Sequence, residues 1–311
     1  MILPDITILD NLIDKKPGSR KRPLYDNEVH QFHNCLHNTM RFDNHRSTIT
    51  NDTDDYKEIT TLFKEKMHEW ICDHKLISFT GLDAFPDRNI CLGVTHQLDE
   101  LHMMHNRKIV TFDGDYYYHY RLFPETKTRT VDTLSANDVL VVATPFTFYD
   151  NDVHPDMPAI LEKCLQLKIP VHIDAAWYPC CRDINFNVDH PAIKSITFSL
   201  SKAFGMGAHR IGLRYTRESM HGPIKLMNDF NYVNVADAWI GLEFMQHFGT
   251  DFWWRKYEKH YNAILQHCNL ASSKAIHTAQ LLKENGEFIR PVPMRHALLY
   301  MEYGTIPPGL E

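Results

Sequence analysis

The sequence lacks the features that mark membrane-spanning, disulfide-rich and nucleic-acid-binding proteins. It has no uninterrupted apolar run of about 18 residues, which a membrane-spanning helix needs. Its seven cysteines are scattered and form no C-x-x-C pair, which argues against a disulfide scaffold and a four-cysteine zinc site. The formal net charge is −6 and no window is rich in lysine and arginine, so we expect no nucleic-acid partner.

The N-terminal residues 1–5 (MILPD) also lack the basic stretch and apolar core of a secretory signal. A hydrophobic content of 43% with 12% aromatic residues excludes a disordered chain. The length of 311 residues allows one large domain or two modest ones. We therefore predict a cytoplasmic protein that acts on small molecules and has no membrane partner.

Short apolar runs alternate with helical patterns through the middle of the chain. A helical pattern is predicted from about residue 56 to 74, and a helix with Pro155 and Pro158 in its first turn ends before Pro170. The apolar runs cover residues 108–112, 138–144, 170–173, 195–199 and 210–215. Apolar strands separated by helices indicate a mainly parallel sheet that is covered on both faces. The pattern predicts an α/β fold with three αβα layers.

One constellation of residues indicates chemistry at the edge of this sheet. Asp174 ends a predicted buried strand, which is where open α/β sheets place ligand contacts. Ser199 and Lys202 follow the next predicted strand, and Arg210 comes eight residues after the lysine. A lysine amine can form a Schiff base, and an arginine can bind a phosphate with paired hydrogen bonds. The joint spacing is far more specific than any of these residues alone.

This constellation resembles that of the fold-type-I pyridoxal-phosphate (PLP) enzymes, and among them the class I/II aminotransferases, over about residues 56–285. The resemblance implies that Lys202 holds the cofactor as a Schiff base, which requires a neutral amine. It implies that Asp174 faces the pyridine nitrogen and keeps the ring protonated as an electron sink. It assigns Ser199 and Arg210 to the phosphate.

The resemblance extends upstream of these residues. Gly93, Val94 and Thr95 match the glycine turn whose amides, at a helix N-terminus, bind the phosphate. Tyr116 matches the aromatic ring that stacks on the cofactor, with Tyr118 as the alternative.

Several positions depart from the family pattern. Where the family has an asparagine that contacts the ring oxygen, this chain offers only Thr147 as a substitute. Trp177 replaces a tyrosine three residues after Asp174, so the hydrogen-bond donor there would be the indole or Tyr178. The arginine that binds the substrate carboxylate belongs to a C-terminal small domain, for which the late candidates are Arg290 and Arg295.

The resemblance predicts four segments. Residues 1–55 form an N-terminal arm or part of a small domain, residues 56–250 the PLP-binding large domain, and residues 251–285 a long connecting helix. Residues 286–311 form the remnant of a small domain that we expect to be reduced or truncated. The resemblance also implies a homodimer.

The predicted function is a PLP-dependent aminotransferase that moves an amino group between an amino acid and a 2-oxo acid, with Lys202 also transferring the α-proton. The alternatives are another PLP-dependent reaction, namely that of a lyase, decarboxylase or oxidase, and a truncated PLP-binding protein without turnover. Histidines 30, 33 and 37 share one helical face, as do histidines 102 and 105. No cysteine or carboxylate accompanies them in phase, so we expect hydrogen-bonded imidazoles and no metal.

Overall fold

A seven-stranded sheet lies at the centre of the fold. The computed structural model describes residues 6–13, 23–39, 53–146 and 151–306. The helices in these residues are α1 (Leu9–Leu12), α2 (Asn27–Thr39), α3 (Thr53–Cys72), α4 (Val94–Met104), α5 (Tyr118–Leu122), α6 (Met157–Leu167), α7 (Pro223–Asp229), α8 (Val235–His247), α9 (Phe252–His267) and α10 (Arg295–Tyr303). The strands are β1 (Ile77–Thr80), β2 (Asp87–Cys91), β3 (Lys108–Phe112), β4 (Lys127–Arg129), β5 (Asp138–Ala143), β6 (Val171–Ala175), β7 (Ile184–Asn187), β8 (Ile193–Ser199), β9 (Gly212–Thr216), β10 (Thr278–Leu282) and β11 (Phe288–Pro293). None of these helices combines the length and apolarity needed to cross a bilayer.

The strand order of the central sheet is β2-β9-β8-β6-β5-β3-β4. Strands β4, β3, β5, β6 and β8 are mutually parallel, whereas β9 runs antiparallel to both of its neighbours. Two small sheets lie outside it, a parallel pair of β1 and β7 and an antiparallel pair of β10 and β11. The predicted mainly parallel sheet is confirmed, and each of the five apolar runs overlaps one of its strands.

Helices cover both faces of the sheet, as its side-chain alternation requires. Along β5, Val139 and Val141 pack with Leu98 of α4 in one apolar cluster. The intervening Leu140 and Val142 belong to the larger core on the opposite face. Successive side chains of a strand point to opposite faces, so a strand that is apolar throughout must be covered twice. This arrangement is the predicted three-layer αβα fold.

The larger core depends on a close approach between α3 and α8. A Cβ placed on Gly241 of α8 would lie 2.9 Å from ring carbon Cε2 of Phe63 in α3 and 2.9 Å from Cδ1 of Leu200. No larger residue fits between these side chains without displacing them. Leu200 directly precedes the segment that carries Lys202, so the packing of these helices also supports the candidate site.

The predicted long helix over residues 251–285 is wrong beyond His267. Asn269 adopts a left-handed conformation with φ 50°, and the amide of Leu270 donates to the carbonyl of Leu265. An asparagine in this conformation is a common helix terminator. The apolar residues that prolonged the helical pattern are buried in an irregular segment and in β10 instead. The other predicted segment boundaries stay predictions.

A buried carboxylate joins the N-terminal part of the chain to the C-terminal helices. Asp26 accepts hydrogen bonds from the hydroxyls of Tyr257 (2.5 Å) and Tyr303 (2.9 Å) and pairs with Nζ of Lys256 at 2.6 Å. Its other oxygen accepts from the amide of Glu28, so Asp26 also caps α2. Residues of α9 and α10 therefore position the start of α2.

Candidate active site

The candidate site lies at the carboxyl ends of the parallel strands. Asp115 follows β3, Asp174 lies near the end of β6, and Ser199 ends β8. Asp174 pairs in register with Ala143 of β5 and Thr197 of β8, so these strands end side by side. Parallel strands bring such terminal residues to one edge of the sheet, where open α/β folds bind ligands.

One end of the site is a cradle that we define by Gly93, Thr95, Ser199 and Arg210. Gly93 has φ +75°, and a Cβ placed on it would lie 3.3 Å from both Nη2 of Arg210 and Oγ of Ser199. Nη2 of Arg210 donates to Oγ1 of Thr95. The predicted glycine turn and the two predicted phosphate ligands therefore lie together, although 117 residues separate Gly93 from Arg210 in the sequence.

The cradle also presents the N-terminus of α4. The 11-residue helix begins at Val94, and its N-cap residue is Gly93, which has no side chain to cap the first amides. Uncapped amides and the helix dipole both favour an anion at this position. An arginine, two hydroxyl groups and a helix N-terminus form a suitable site for a phosphate.

A buried ion pair holds α4 in place beneath the cradle. Arg214 of β9 donates to Glu100 of α4, and both side chains are fully buried. The second oxygen of Glu100 accepts from the amide of Ile224 at 2.8 Å. Buried charges are tolerated when they are paired and hydrogen-bonded, and they fix the groups that carry them. These contacts tie α4 to β9 and to the start of α7.

The other end of the site is acidic and buried. Asp174 is 7% exposed, and its Oδ1 accepts from the amide of Ala176 at 2.9 Å. Burial raises the pKa of Asp174 to about 7, and the nearby Asp115 carboxylate contributes to the rise. Lys202 acts in the opposite direction. A cation placed against this carboxylate would compensate the cost of burying its charge.

Asp115 is a site residue that the sequence analysis missed. Its carboxylate accepts from the hydroxyl of Thr111 (3.0 Å) and from the amides of Ala143 (3.0 Å) and Tyr116 (2.6 Å). Burial nevertheless raises the pKa of Asp115 to about 6. Its position after a strand could have indicated it. Asp115 follows a predicted parallel strand, just as Asp174 lies near the end of another.

Lys202 lies between the two ends of the site. Its Nζ lies 4.9 Å from the centroid of the Trp177 ring, so the indole face forms part of the amine's surroundings. Burial lowers the pKa of Lys202 and the charge of Arg210 lowers it further, whereas Cys180 and Asp174 act in the opposite direction. A lowered pKa increases the share of the neutral, nucleophilic amine.

The backbone around Lys202 is fixed by two buried side chains. Sγ of Cys180 donates to the carbonyl of Lys202 at 3.2 Å. The indole N–H of Trp253 in α9 donates to the carbonyl of the next residue, Ala203. These bonds position the lysine without contacting its amine.

Two tyrosines were considered for the stacking position, and they occupy different places. The hydroxyl of Tyr118 donates to Asp99 of α4 at 2.8 Å. Tyr116 is half-buried, and both Asp174 and Arg210 act on its pKa, which burial raises. Tyr116 therefore lies between the two ends of the site, and Tyr118 stacks behind it with ring centroids 5.7 Å apart. The stacking role of Tyr116 stays a prediction.

The remaining predicted residues have different outcomes. Thr147 lies outside the described residues. The hydroxyl of Tyr178 donates to the carbonyl of Ile71 at 2.7 Å, so of the two donors considered near Asp174 only the Trp177 indole lies against Lys202. Arg290 lies in β11 and Arg295 begins α10, and their role in carboxylate binding stays a prediction.

Neither a protein-family model nor a curated protein sequence matches this chain. Solved structures do. A putative PLP-dependent β-cystathionase from Corynebacterium diphtheriae has a TM-score of 0.58 at 12% identity, over 97% of this chain and 96% of that one. A PLP-bound C-S lyase from Staphylococcus hominis has a TM-score of 0.56 at 11% identity, over 88% and 82%. An aspartate aminotransferase from Thermus thermophilus has a TM-score of 0.55 at 13% identity, over 84% and 75%. The predicted fold is confirmed: this chain has the fold of these enzymes.

Proposed function

We propose that this chain binds pyridoxal phosphate and uses it to transfer an amino group between an amino acid and a 2-oxo acid. The observation that supports it is the order of three groups along the site: a cationic cradle, a half-buried lysine and a buried carboxylate. Each group suits one part of the cofactor. The cradle suits the phosphate, Lys202 suits the aldehyde and Asp174 suits the protonated pyridine nitrogen.

The packing of these residues supports the fit. The space that a Cβ on Gly93 would fill is bounded by Ser199 and Arg210, so an oxyanion can approach the backbone there. The raised pKa of Asp174 shows that its buried charge lacks a sufficient counter-charge among the protein's own groups. A pyridinium N–H would provide one.

When bound, pyridoxal phosphate supplies an aldehyde that takes up an amine and a ring that accepts electrons from the substrate's Cα–H bond. The residues of this chain supply the rest. Lys202 offers a half-buried amine for attachment and for moving the α-proton, and Asp174 holds a negative charge against the ring nitrogen. The Trp177 ring covers one side of the amine and limits its contact with water.

A half-reaction experiment tests the transfer. The purified protein is loaded with pyridoxal phosphate and mixed with single amino acids, and conversion of the cofactor to its amine form is followed by absorbance. After removal of the donor, a 2-oxo acid should restore the original spectrum. Lys202→Ala should abolish both changes, whereas Lys283→Ala, at an exposed lysine paired with Glu287, should not. Wild-type protein that retains no added cofactor would contradict the proposal.

A carbon–sulfur lyase is the second candidate. It is favoured by the cystathionase-like structure, which matches nearly the full length of both chains. The two reactions differ in their products, because elimination releases ammonia and a thiol and leaves the cofactor in its aldehyde form. Incubation with cystathionine followed by thiol and ammonia assays distinguishes them. Release of both products without conversion of the cofactor would replace the aminotransferase proposal with the lyase.

We also propose a homodimer and a cytoplasmic location. The homodimer comes from the resemblance, and the cytoplasmic location is supported by the seven cysteines, all of which are free. Sedimentation equilibrium of the loaded protein tests the first, and a mass near twice 36.4 kDa is expected. Microscopy of a tagged chain tests the second.

A further inference from the structure

Three histidines that lie far apart in the sequence meet on the surface of the fold. His33 and His37 belong to α2, and His209 lies in the segment between Lys202 and β9. One ring nitrogen from each lies within 4.8 Å of the other two. The ring centroids are 4.8 Å apart for His33 and His37, 4.8 Å for His33 and His209, and 5.5 Å for His37 and His209.

The two histidines on α2 have the spacing of a helical metal-binding pair. Residues four apart lie on one face of a helix, and two histidines so placed can bind one zinc ion. His33 is half-buried and His37 is exposed, so His37 can rotate towards the other two. Nitrogens bound to one tetrahedral zinc ion lie about 3.3 Å apart, since each Zn–N bond is about 2.0–2.1 Å long. Small side-chain rotations bring the three nitrogens to that separation.

A carboxylate orients the third histidine. Nδ1 of His209 donates to Oδ1 of Asp237 in α8 at 2.8 Å. This bond leaves Nε2 of a neutral His209 with a lone pair, directed at Nε2 of His33 at 2.6 Å. A histidine that donates one ring N–H to a carboxylate and offers its other nitrogen to a metal is a recurrent arrangement at zinc sites.

We propose that His33, His37 and His209 bind one divalent transition-metal ion, with zinc the best match to three imidazoles, and that Asp237 positions His209. Three protein ligands leave the fourth tetrahedral position to water. The ion would cross-link α2 to the segment that leads into Arg210. Its role is to hold α2 against the segment that carries Arg210. The proposal does not depend on the proposed reaction.

Without a metal, the same residues form a hydrogen-bonded chain from His33 through His209 to Asp237. That chain does not include His37. It needs a lone pair on Nε2 of only one of His33 and His209, because Nε2 of the other carries the proton that is donated. Substitution of His37 therefore separates the two possibilities, because His37 is required only for the metal. His30 is the matched control, since it lies on the same helix, is exposed and bonds to Asn34 at 3.2 Å.

The test is a titration of the full chain with Co²⁺ after dialysis against a chelator. The wild type should bind one ion per chain with the visible bands of tetrahedral cobalt, and one equivalent of zinc should abolish them. His37→Ala and His209→Ala should each weaken binding at least about 10-fold, and Asp237→Asn about 10- to 100-fold. His30→Ala should bind as the wild type does.

A thermal-melting series completes the test. Zinc should raise the melting temperature of the wild type and of His30→Ala, and should leave that of His37→Ala unchanged, because only a ligand of the folded state stabilises it. His37 is exposed, so its substitution leaves the core intact. Absence of stoichiometric cobalt binding, or equal losses in His30→Ala and His37→Ala, would overturn the proposal.

Discussion

The two ends of the candidate site are built from opposite kinds of groups. The cradle end combines Arg210, the hydroxyls of Thr95 and Ser199 and the start of α4, on the buried pair of Arg214 and Glu100. The acidic end combines Asp174 and Asp115, whose pKa values burial raises to about 7 and about 6. Arg210 has a neutral hydroxyl as its partner and leaves the cradle end cationic, whereas the charge of the acidic end is only partly compensated by Lys202.

This difference assigns a different task to each end. In the proposed function the cradle holds the phosphate, which takes no part in the bond changes, so its residues should govern cofactor affinity. A buried carboxylate whose charge is poorly compensated becomes fully charged only when a cation is placed against it, so it should govern the electronic properties of the bound ring. Substitutions at the two ends should therefore change different measured quantities.

The largest effect is expected for Asp174→Asn. Asparagine preserves the shape of the side chain but cannot keep the pyridine nitrogen protonated. We expect kcat to fall about 10³-fold while the dissociation constant for the cofactor changes only a few-fold. Steady-state kinetics with fluorescence titration of the cofactor measures both. Full activity in this variant would refute the assigned role of Asp174.

The same substitution should have the opposite effect on stability. Without cofactor, folded Asp174 keeps its proton up to about pH 7, whereas the unfolded chain releases it near pH 4. The contribution of this carboxyl to the free energy of unfolding therefore falls as pH rises through this window. Asp174→Asn removes this loss. The unfolding free energy of the variant relative to that of the wild type should therefore be about 2 to 3 kcal/mol larger at pH 8 than at pH 5. Urea unfolding of the cofactor-free protein measures it, with Asp132→Asn as an exposed control.

At the cradle end, Arg210→Ala should act on affinity. A charged hydrogen bond to a phosphate contributes about 1.5 to 3 kcal/mol, so the dissociation constant for the cofactor should rise about 10- to 100-fold. At saturating cofactor, kcat should return to within a few-fold of the wild type. Arg217→Ala, at an arginine paired with Asp189, should leave affinity unchanged. A kcat that stayed low at saturating cofactor would contradict the assignment of cofactor affinity to the cradle end and of the ring's electronic properties to the acidic end.

The smallest effect is expected for Gly93→Ala. A side chain at φ +75° costs about 1 to 2 kcal/mol, and the added Cβ would crowd Ser199 and Arg210. We expect a similar loss of unfolding free energy and weaker cofactor binding. Gly207→Ala is the control, because a Cβ there meets nothing within 4 Å. Equal behaviour of the two variants would show that the cradle tolerates a side chain.

Local signals made much of the site predictable. Ser199, Lys202 and Arg210 lie within 12 residues, and their joint spacing with Asp174 carried the resemblance that implies the cofactor. The strands were predictable because burial on both faces leaves an apolar run. The direction of β9 was not, because the apolar pattern of a strand is the same in either direction.

The errors come from features that local patterns do not carry. The helical phase continues past Asn269, and only the left-handed conformation of that residue ends the helix. Asp115 lies 59 residues before Asp174 in the sequence, so no local pattern links the two carboxylates. The meeting of His33 with His209 joins positions 176 residues apart, and a helical pattern at residues 30–37 cannot show it. Tertiary contacts decide each of these cases.

The hydrogen bonds and the ion pair of Asp26 have a consequence for how the helices around it unfold locally. One carboxylate caps α2, pairs with Lys256 of α9 and accepts from one hydroxyl each of α9 and α10, so detachment of α9 or α10 removes part of what compensates a buried charge. Helices that share such a cost should open together. In native-state hydrogen exchange, the amides of α2, α9 and α10 should then report one common opening free energy. The amides of α2 should not exchange by a separate opening of lower free energy.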